Sequence, residues 1–200
     1  MTPRNSIVRI ARPIAIATTL AIPCVGTAKV APAPLVNLVV AADAIVVATV
    51  TDVSEDHAGT KLATATVEAA LKGPAHRAVR FVASPSWLCD SADAVIGERV
   101  LLFLVRDDHG KRVIAHSGRG RMPIRQEKGV ELATIWTSDI LLPANFPTFA
   151  SPDPDAAYIQ SVELSRMRHL ILSTLARVDR GENVFTEVIP SAAELDHGNE

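Results

Sequence analysis

The chain has 200 residues and a formal net charge of −2, so bulk electrostatic attraction to nucleic acid or another polyphosphate is not expected. Only two cysteines occur, and no apolar run reaches the roughly 20 residues that cross a bilayer. Aromatic residues make up only 4% of the chain, so few rings are available to stack on bases.

Residues 1–28 have the pattern of a secretory signal peptide. Three arginines precede an apolar stretch at residues 14–22, and residues 26–28 supply the small side chains of a cleavage site. Pro23 directly precedes Cys24, which argues against a lipoprotein box. We therefore expect a secreted or periplasmic protein whose mature chain has no stable membrane insertion.

The state of the cysteines depends on where the signal peptide is cut. If the cut lies upstream, as after Ala21, Cys24 and Cys89 can form a disulfide in the oxidising compartment. If it follows Ala28, which the sequence favours, Cys89 is a lone thiol in the mature chain.

Five short segments between turn signals are predicted strands, at residues 44–53, 62–71, 79–82, 100–105 and 112–116. The second alternates most cleanly, with small or apolar residues on one face and threonines and Glu68 on the other. The fourth is apolar throughout, which is typical of a strand covered on both faces. Strands at these spacings predict a mainly β fold, a five-stranded barrel of the OB type, with a short helix at residues 35–42 before it.

The same alternation predicts which side chains fill the barrel. Phe81 lies on the inward face of the third strand and Arg80 on its outward face. Val67 on the second strand, and Leu102 and Leu104 on the fourth, are expected to point inward as well.

The pattern changes after residue 120. Residues 131–136 are a candidate further strand, and the four prolines of residues 142–155 indicate a surface loop. From about residue 155 to about residue 180, apolar residues recur at helical spacing, which predicts a C-terminal amphipathic helix packed on the barrel. The predicted organisation is a signal peptide at 1–28, an OB domain at 29–125, a C-terminal extension at 126–190 and a disordered tail at 191–200.

Several pieces between residues 41 and 120 occur in an order that resembles one family. Ala42-Asp43 precedes an apolar strand, and LKGP, ASPSWLC and GERVLLFL follow at residues 71–74, 83–89 and 97–104. Together they are similar to the tissue inhibitors of metalloproteinases and to netrin-like modules, including exported bacterial relatives. The resemblance implies a five-stranded OB barrel that binds a protein, with Cys89 at the position of a structural loop cysteine.

The resemblance does not extend to the inhibitory N-terminus of that family. There, Cys-x-Cys opens the mature chain, and the first cysteine chelates the zinc of the protease through its amine and carbonyl groups. Here Cys24 is followed by Val25 and Gly26. We therefore predict a binding module that is not an enzyme and has no cofactor. Its partner would be an unknown protein, such as an exported protease, and the candidate binding loop comprises Ser84, Pro85, Ser86 and Trp87.

The alternative is an OB domain that binds an anionic glycan or another polyanion through a basic stripe. The candidate residues of that stripe are Arg112, Arg119, Arg121 and Arg125. Nucleic acid is not expected, because base binding also needs exposed aromatic rings and Phe81 and Phe103 occupy core positions. Solvated charge at strand edges is the simpler interpretation of the arginines.

A metal site has little support in the sequence. His109 and His116 could meet across the predicted hairpin with Asp107 or Asp108, but no third ligand has motif spacing. No string typical of a hydrolase, a zinc protease or a nucleotide-binding loop occurs.

Overall fold

The computed structural model describes residues 32–84, 92–151 and 156–185. The predicted signal peptide and tail lie outside these ranges. The helices and strands, in chain order, are β1 Ala33–Pro34, α1 Leu35–Ala41, β2 Ala44–Glu55, β3 Lys61–Lys72, β4 Ala78–Val82, β5 Arg99–Arg106, β6 Arg112–Ile114, β7 Arg121–Glu127, β8 Val130–Trp136, β9 Ile140–Leu141, β10 Phe149–Ala150, β11 Ile159–Glu163 and α2 Leu164–Asp179.

Five strands close into a barrel in the order β2-β3-β4-β6-β5, and β5 pairs again with β2. Neighbouring strands are antiparallel except β4 and β6, which run parallel and meet through the pair Val82 and Val113. The predicted mainly β fold, a five-stranded OB-type barrel with a C-terminal helix, is confirmed.

The barrel interior is built from the inward faces of these strands. Phe81, Leu102 and Leu104 are at most 1% exposed, and Val67 is partly buried against the same cluster. Ala63 lies directly opposite Phe81 on the neighbouring strand, and its small side chain leaves room for the ring. The inward orientation predicted for all four residues is confirmed.

Strand β5 is buried on both faces, as predicted. Leu102 and Leu104 point into the barrel, whereas Leu101 and Phe103 point outward and are equally buried. The outward residues belong to a second core between the barrel wall, the two helices and strands β7, β8 and β11. Helix α1 confirms the short helix expected before the first barrel strand.

One edge of β5 carries both β6 and β7. Residues 104–106 of β5 pair with β6 and residues 100–102 pair with β7. A turn at residues 115–120 separates the two, and its His116 and Ser117 both have φ of 51°. After this turn β7 leaves the barrel and extends the same nine-stranded sheet outward in the order β7-β8-β11-β10. β8 confirms the further strand predicted at residues 131–136.

The C-terminal helix is shorter than the predicted helix of about residues 155–180. The structure has strand β11 at Ile159–Glu163, and α2 begins only at Leu164. Ile159 and Val162 are three apart, a spacing that fits a helix, but Val162 lies opposite Ala133 of β8. Pairing with an available sheet edge therefore overrides the helical spacing. Strand β7 also runs through residue 125, where the OB domain was predicted to end, so barrel and extension share a strand.

The Ala42-Asp43 and LKGP segments meet where α1 leads into β2. The Asp43 carboxylate accepts a hydrogen bond of 2.7 Å from the backbone N–H of Arg106. The Lys72 ammonium donates to the carbonyls of Val39 and Val40 at 2.9 and 2.8 Å, and so caps the C-terminal end of α1. Burial lowers the pKa of Lys72, and the negative charge of Asp43 offsets part of that lowering.

We expect Gly73→Ala to destabilise the protein more than Gly59→Ala. Both glycines have left-handed backbone, with φ of +82° and +77°, a conformation that costs other residues about 1–2 kcal/mol. At Gly73 an added Cβ would also lie 2.6 Å from the carbonyl oxygen of Asp43, whereas at Gly59 nothing lies within 4 Å. Urea unfolding of both variants measures the difference. Equal losses would contradict the close approach at Gly73.

Candidate functional site

Two turns of the barrel have the same construction. In the β2–β3 turn, the Asp56 carboxylate accepts hydrogen bonds of 2.9 Å from the backbone N–H groups of Ala58 and Thr60. In the β5–β6 turn, Asp107 accepts from His109 and Lys111 at 2.9 and 2.8 Å. Each turn has a left-handed glycine three residues after its aspartate. Aspartate and glycine at these positions fix the turn, because the carboxylate satisfies backbone donors and glycine tolerates positive φ.

These two turns lie side by side. The Lys111 ammonium is 3.5 Å from the Asp56 carboxylate, so the β5–β6 turn is joined to the β2–β3 turn by an ion pair. Two residues of the connection from β4 to β5, Ser84 near its start and Asp93 further along, contact the first residue of β3. The backbone N–H of Lys61 donates to the Ser84 hydroxyl at 2.5 Å, and the Lys61 ammonium lies 3.5 Å from Asp93. We call this meeting place of the three loops the rim.

A cleft of about 280 Å³ lies at the rim, on the outer face of β3 and β4. Because Phe81 points into the barrel, its neighbours Arg80 and Val82 point outward, and Val82 lines the cleft with Leu62. The β5–β6 hairpin supplies the opposite wall. The cleft is lined by Leu62, Arg80, Phe81, Val82, Arg106, Gly110, Lys111 and Arg112.

Four of the lining side chains carry a positive charge. Lys111 is paired with Asp56, and Arg106 donates through Nη1 to the carbonyl of Gly110 at 3.3 Å. Within the ranges that the structure describes, Arg80 and Arg112 have no carboxylate within 4.0 Å. The cleft therefore combines an apolar floor with two guanidinium groups whose donors can reach a ligand.

The predicted binding loop is described only at its first residue. Ser84 lies at the rim through its contact with Lys61. Pro85, Ser86 and Trp87 lie outside the described residues, as do Cys24 and Cys89.

Two arginines of the predicted basic stripe are largely buried in ion pairs. Arg119 Nε lies 2.6 Å from a carboxylate oxygen of Asp139, with side-chain exposures of 12% and 7%. Arg121 Nη2 donates to both carboxylate oxygens of Glu98 at 2.5 Å. The four arginines of that stripe therefore do not form one exposed surface.

Of the other two arginines, Arg125 lies 3.6 Å from Glu127 of the same strand, and Arg112 lines the cleft. Sequence reasoning placed Arg80 on an outward face but did not assign it to a site. Its neighbours come from the parallel pairing of β4 with β6, which no local pattern indicates. Arg106, Lys111 and Arg112 lie close together in the sequence, and this clustering of cations is the local signal that points to the cleft.

Among the residues that the structure describes, no three His, Cys, Asp or Glu side chains converge to hold a metal ion. No helix within residues 32–84, 92–151 and 156–185 is long and apolar enough to cross a membrane. Comparison with family models, curated proteins and solved structures finds no match.

The β2–β3 turn is expected to lose its hydrogen bonds at acid pH. The N–H of Thr60, then that of Ala58 and the charge of Lys111, lower the pKa of Asp56 below its ordinary 3.8, against some desolvation. A carboxyl whose folded pKa is lowered stabilises the fold above its unfolded pKa, and this contribution disappears as pH falls through the folded pKa. The amide signals of Ala58 and Thr60, followed by NMR, should therefore titrate with a midpoint below 3.8. A midpoint at or above that value, or the same titration in Asp56→Asn, would contradict this role of the carboxylate.

Proposed function

We propose that this chain is an exported, non-catalytic binding module that resembles the metalloproteinase inhibitors and contacts a protein partner through the rim of its OB barrel. The observation that supports this most is that the β2–β3 and β5–β6 turns lie side by side next to the cleft, with the Lys111 ammonium 3.5 Å from the Asp56 carboxylate. OB barrels bind their ligands with these loops and with the face of the second and third strands between them. Ser84, the first residue of the predicted binding loop, lies at the rim through its contact with Lys61.

A protein partner is better supported than a polymeric anion. Two arginines of the basic stripe already neutralise Asp139 and Glu98, so they are not available to an anionic chain. The one aromatic ring at the cleft, Phe81, is 1% exposed and cannot stack on a base or a sugar. In contrast, the connection from β4 to β5 exposes Val95 and Ile96, each at 62%, which suits contact with an apolar protein surface.

The mode of contact would differ from zinc chelation. The family mechanism needs the free amine of an N-terminal cysteine, and cleavage after Ala28 would leave Lys29 at the N-terminus. The rim loops would then supply the contact area, and the partner need not hold a metal.

Site-specific photo-cross-linking tests this proposal. A photoreactive amino acid is placed at His57, an exposed residue of the β2–β3 turn, and, as a control, at Arg180, exposed just after α2. We expect the rim position to form a discrete product with one polypeptide from the exported fraction of the producing cells. Excess unmodified protein should compete for it, and the control position should not form it. Equal products from both positions, or a product that glycosidase removes and protease does not, would contradict the proposal.

A further inference from the structure

The rim cleft has the chemistry of a receptor for a single carboxylate. We propose that it binds the side chain of a glutamate or aspartate of the partner polypeptide, an inference that rests on the proposed protein-binding function. Arg80 and Arg112 are the two recognition groups, one from β4 and one from the start of β6. A guanidinium donates two parallel hydrogen bonds to a carboxylate, which gives direction as well as attraction.

The other two cations have a different part. Lys111 pairs with Asp56 and so joins the β5–β6 hairpin to the β2–β3 turn, whereas Arg106 donates to the carbonyl of Gly110 within the hairpin itself. Both cations add positive electrostatic potential to the cleft while they keep their contacts with Asp56 and Gly110. Arg112 follows the turn of this hairpin and lines the same cleft as Arg80, which is on the outward face of β4.

The size and floor of the cleft favour a side chain over a polymer. Its volume of about 280 Å³ is slightly below the range of about 300–1,000 Å³ typical of sites for small molecules. Leu62 and Val82 form an apolar floor, on which the methylene groups of a glutamate can lie.

The surrounding acids also limit what can bind. Asp56 and Asp107 have their carboxylates engaged in the two turns, and Asp108 is exposed at the hairpin tip. These three negative charges oppose a long polyanion that would extend beyond the cleft, whereas a single carboxylate reaches the arginines by itself.

The test is an NMR titration of the isotope-labelled full chain with two blocked pentapeptides, one with a central glutamate between leucines and glycines and one with glutamine in its place. We expect the glutamate peptide to shift the amide signals of residues 80–82 and 110–112. The glutamine peptide should bind about tenfold more weakly, since it lacks the charge that the arginines recognise. A sulfated oligosaccharide is titrated in a separate experiment, which tests whether a polyanion binds instead of a single carboxylate.

Variants separate recognition from net charge. The double variant Arg80→Gln/Arg112→Gln should bind the glutamate peptide at least about tenfold more weakly. Arg168→Gln, an exposed position on α2, should bind as the unchanged protein does. Unchanged signals outside the cleft show that the double variant is folded.

Three results would overturn the inference: equal binding of the two peptides, equal weakening by Arg168→Gln, or binding of the sulfated oligosaccharide alone. The cross-linking at His57 distinguishes this failure from failure of the proposed function. If the double variant still forms the specific product, the rim binds its partner without carboxylate recognition. If the peptide binds but no product forms at His57, the cleft is correct and the protein-binding role is wrong.

Discussion

Replacing Phe81 or Leu102 with alanine is expected to lower the free energy of unfolding by about 3–5 and about 2–5 kcal/mol, respectively. Both side chains fill the barrel interior, at 1% and 0% exposure, and their removal leaves a cavity that rigid neighbouring strands cannot close. Leu172→Ala removes the same atoms as Leu102→Ala, but from a position of α2 that is 47% exposed. It should lower the free energy of unfolding by no more than about 0.5 kcal/mol. Urea denaturation followed by circular dichroism measures all three. Losses below about 0.5 kcal/mol at both barrel positions would mean that the strand register is wrong.

Replacing Arg119 with methionine is expected to cost about 3–5 kcal/mol, because it leaves the buried Asp139 carboxylate without its cation. Replacing both residues with apolar ones, as in Arg119→Met/Asp139→Leu, should restore much of that stability, since a buried ion pair can be exchanged for well-packed apolar groups at little cost. The same unfolding measurement applies to the single and the double variant.

An exposed ion pair provides the control. Arg166 lies 3.1 Å from Glu163, with side-chain exposures of 55% and 32%. Arg166→Met should therefore lower the free energy of unfolding by no more than about 1 kcal/mol. A double variant no more stable than Arg119→Met alone would contradict the view that the stranded charge of Asp139 causes the loss.

The barrel could be predicted because its strands carry their orientation in local patterns. Alternation places Ala63 and Ala65 inward, and the fully apolar run of β5 indicates burial on two faces. Turn residues such as Gly59 and Gly110 mark where strands end. These signals depend on a residue and its near neighbours, which is the information that a single sequence contains.

The cleft and the buried ion pairs depend on contacts between distant residues. Arg119 and Arg121 look like two members of a basic run, but their partners Asp139 and Glu98 lie 20 and 23 residues away in the chain. Arg80 joins Arg112 only because β4 and β6 close the barrel in parallel. No local pattern predicts such pairings. From the sequence alone, the charges of these arginines are therefore assigned to solvent or to a basic stripe.

The position of β5 has a consequence for how the molecule unfolds. This strand contributes Leu102 and Leu104 to one core and Leu101 and Phe103 to the other, so opening either core exposes one of its two faces. Barrel and extension should therefore lose structure together, as one cooperative unit with no populated half-folded form. The amide hydrogens in the middle of β5 would then exchange with solvent only when the whole molecule unfolds. Damage to strands β8, β10 and β11 or to α2, however far from the rim, would reduce the time that the rim loops spend in their binding geometry.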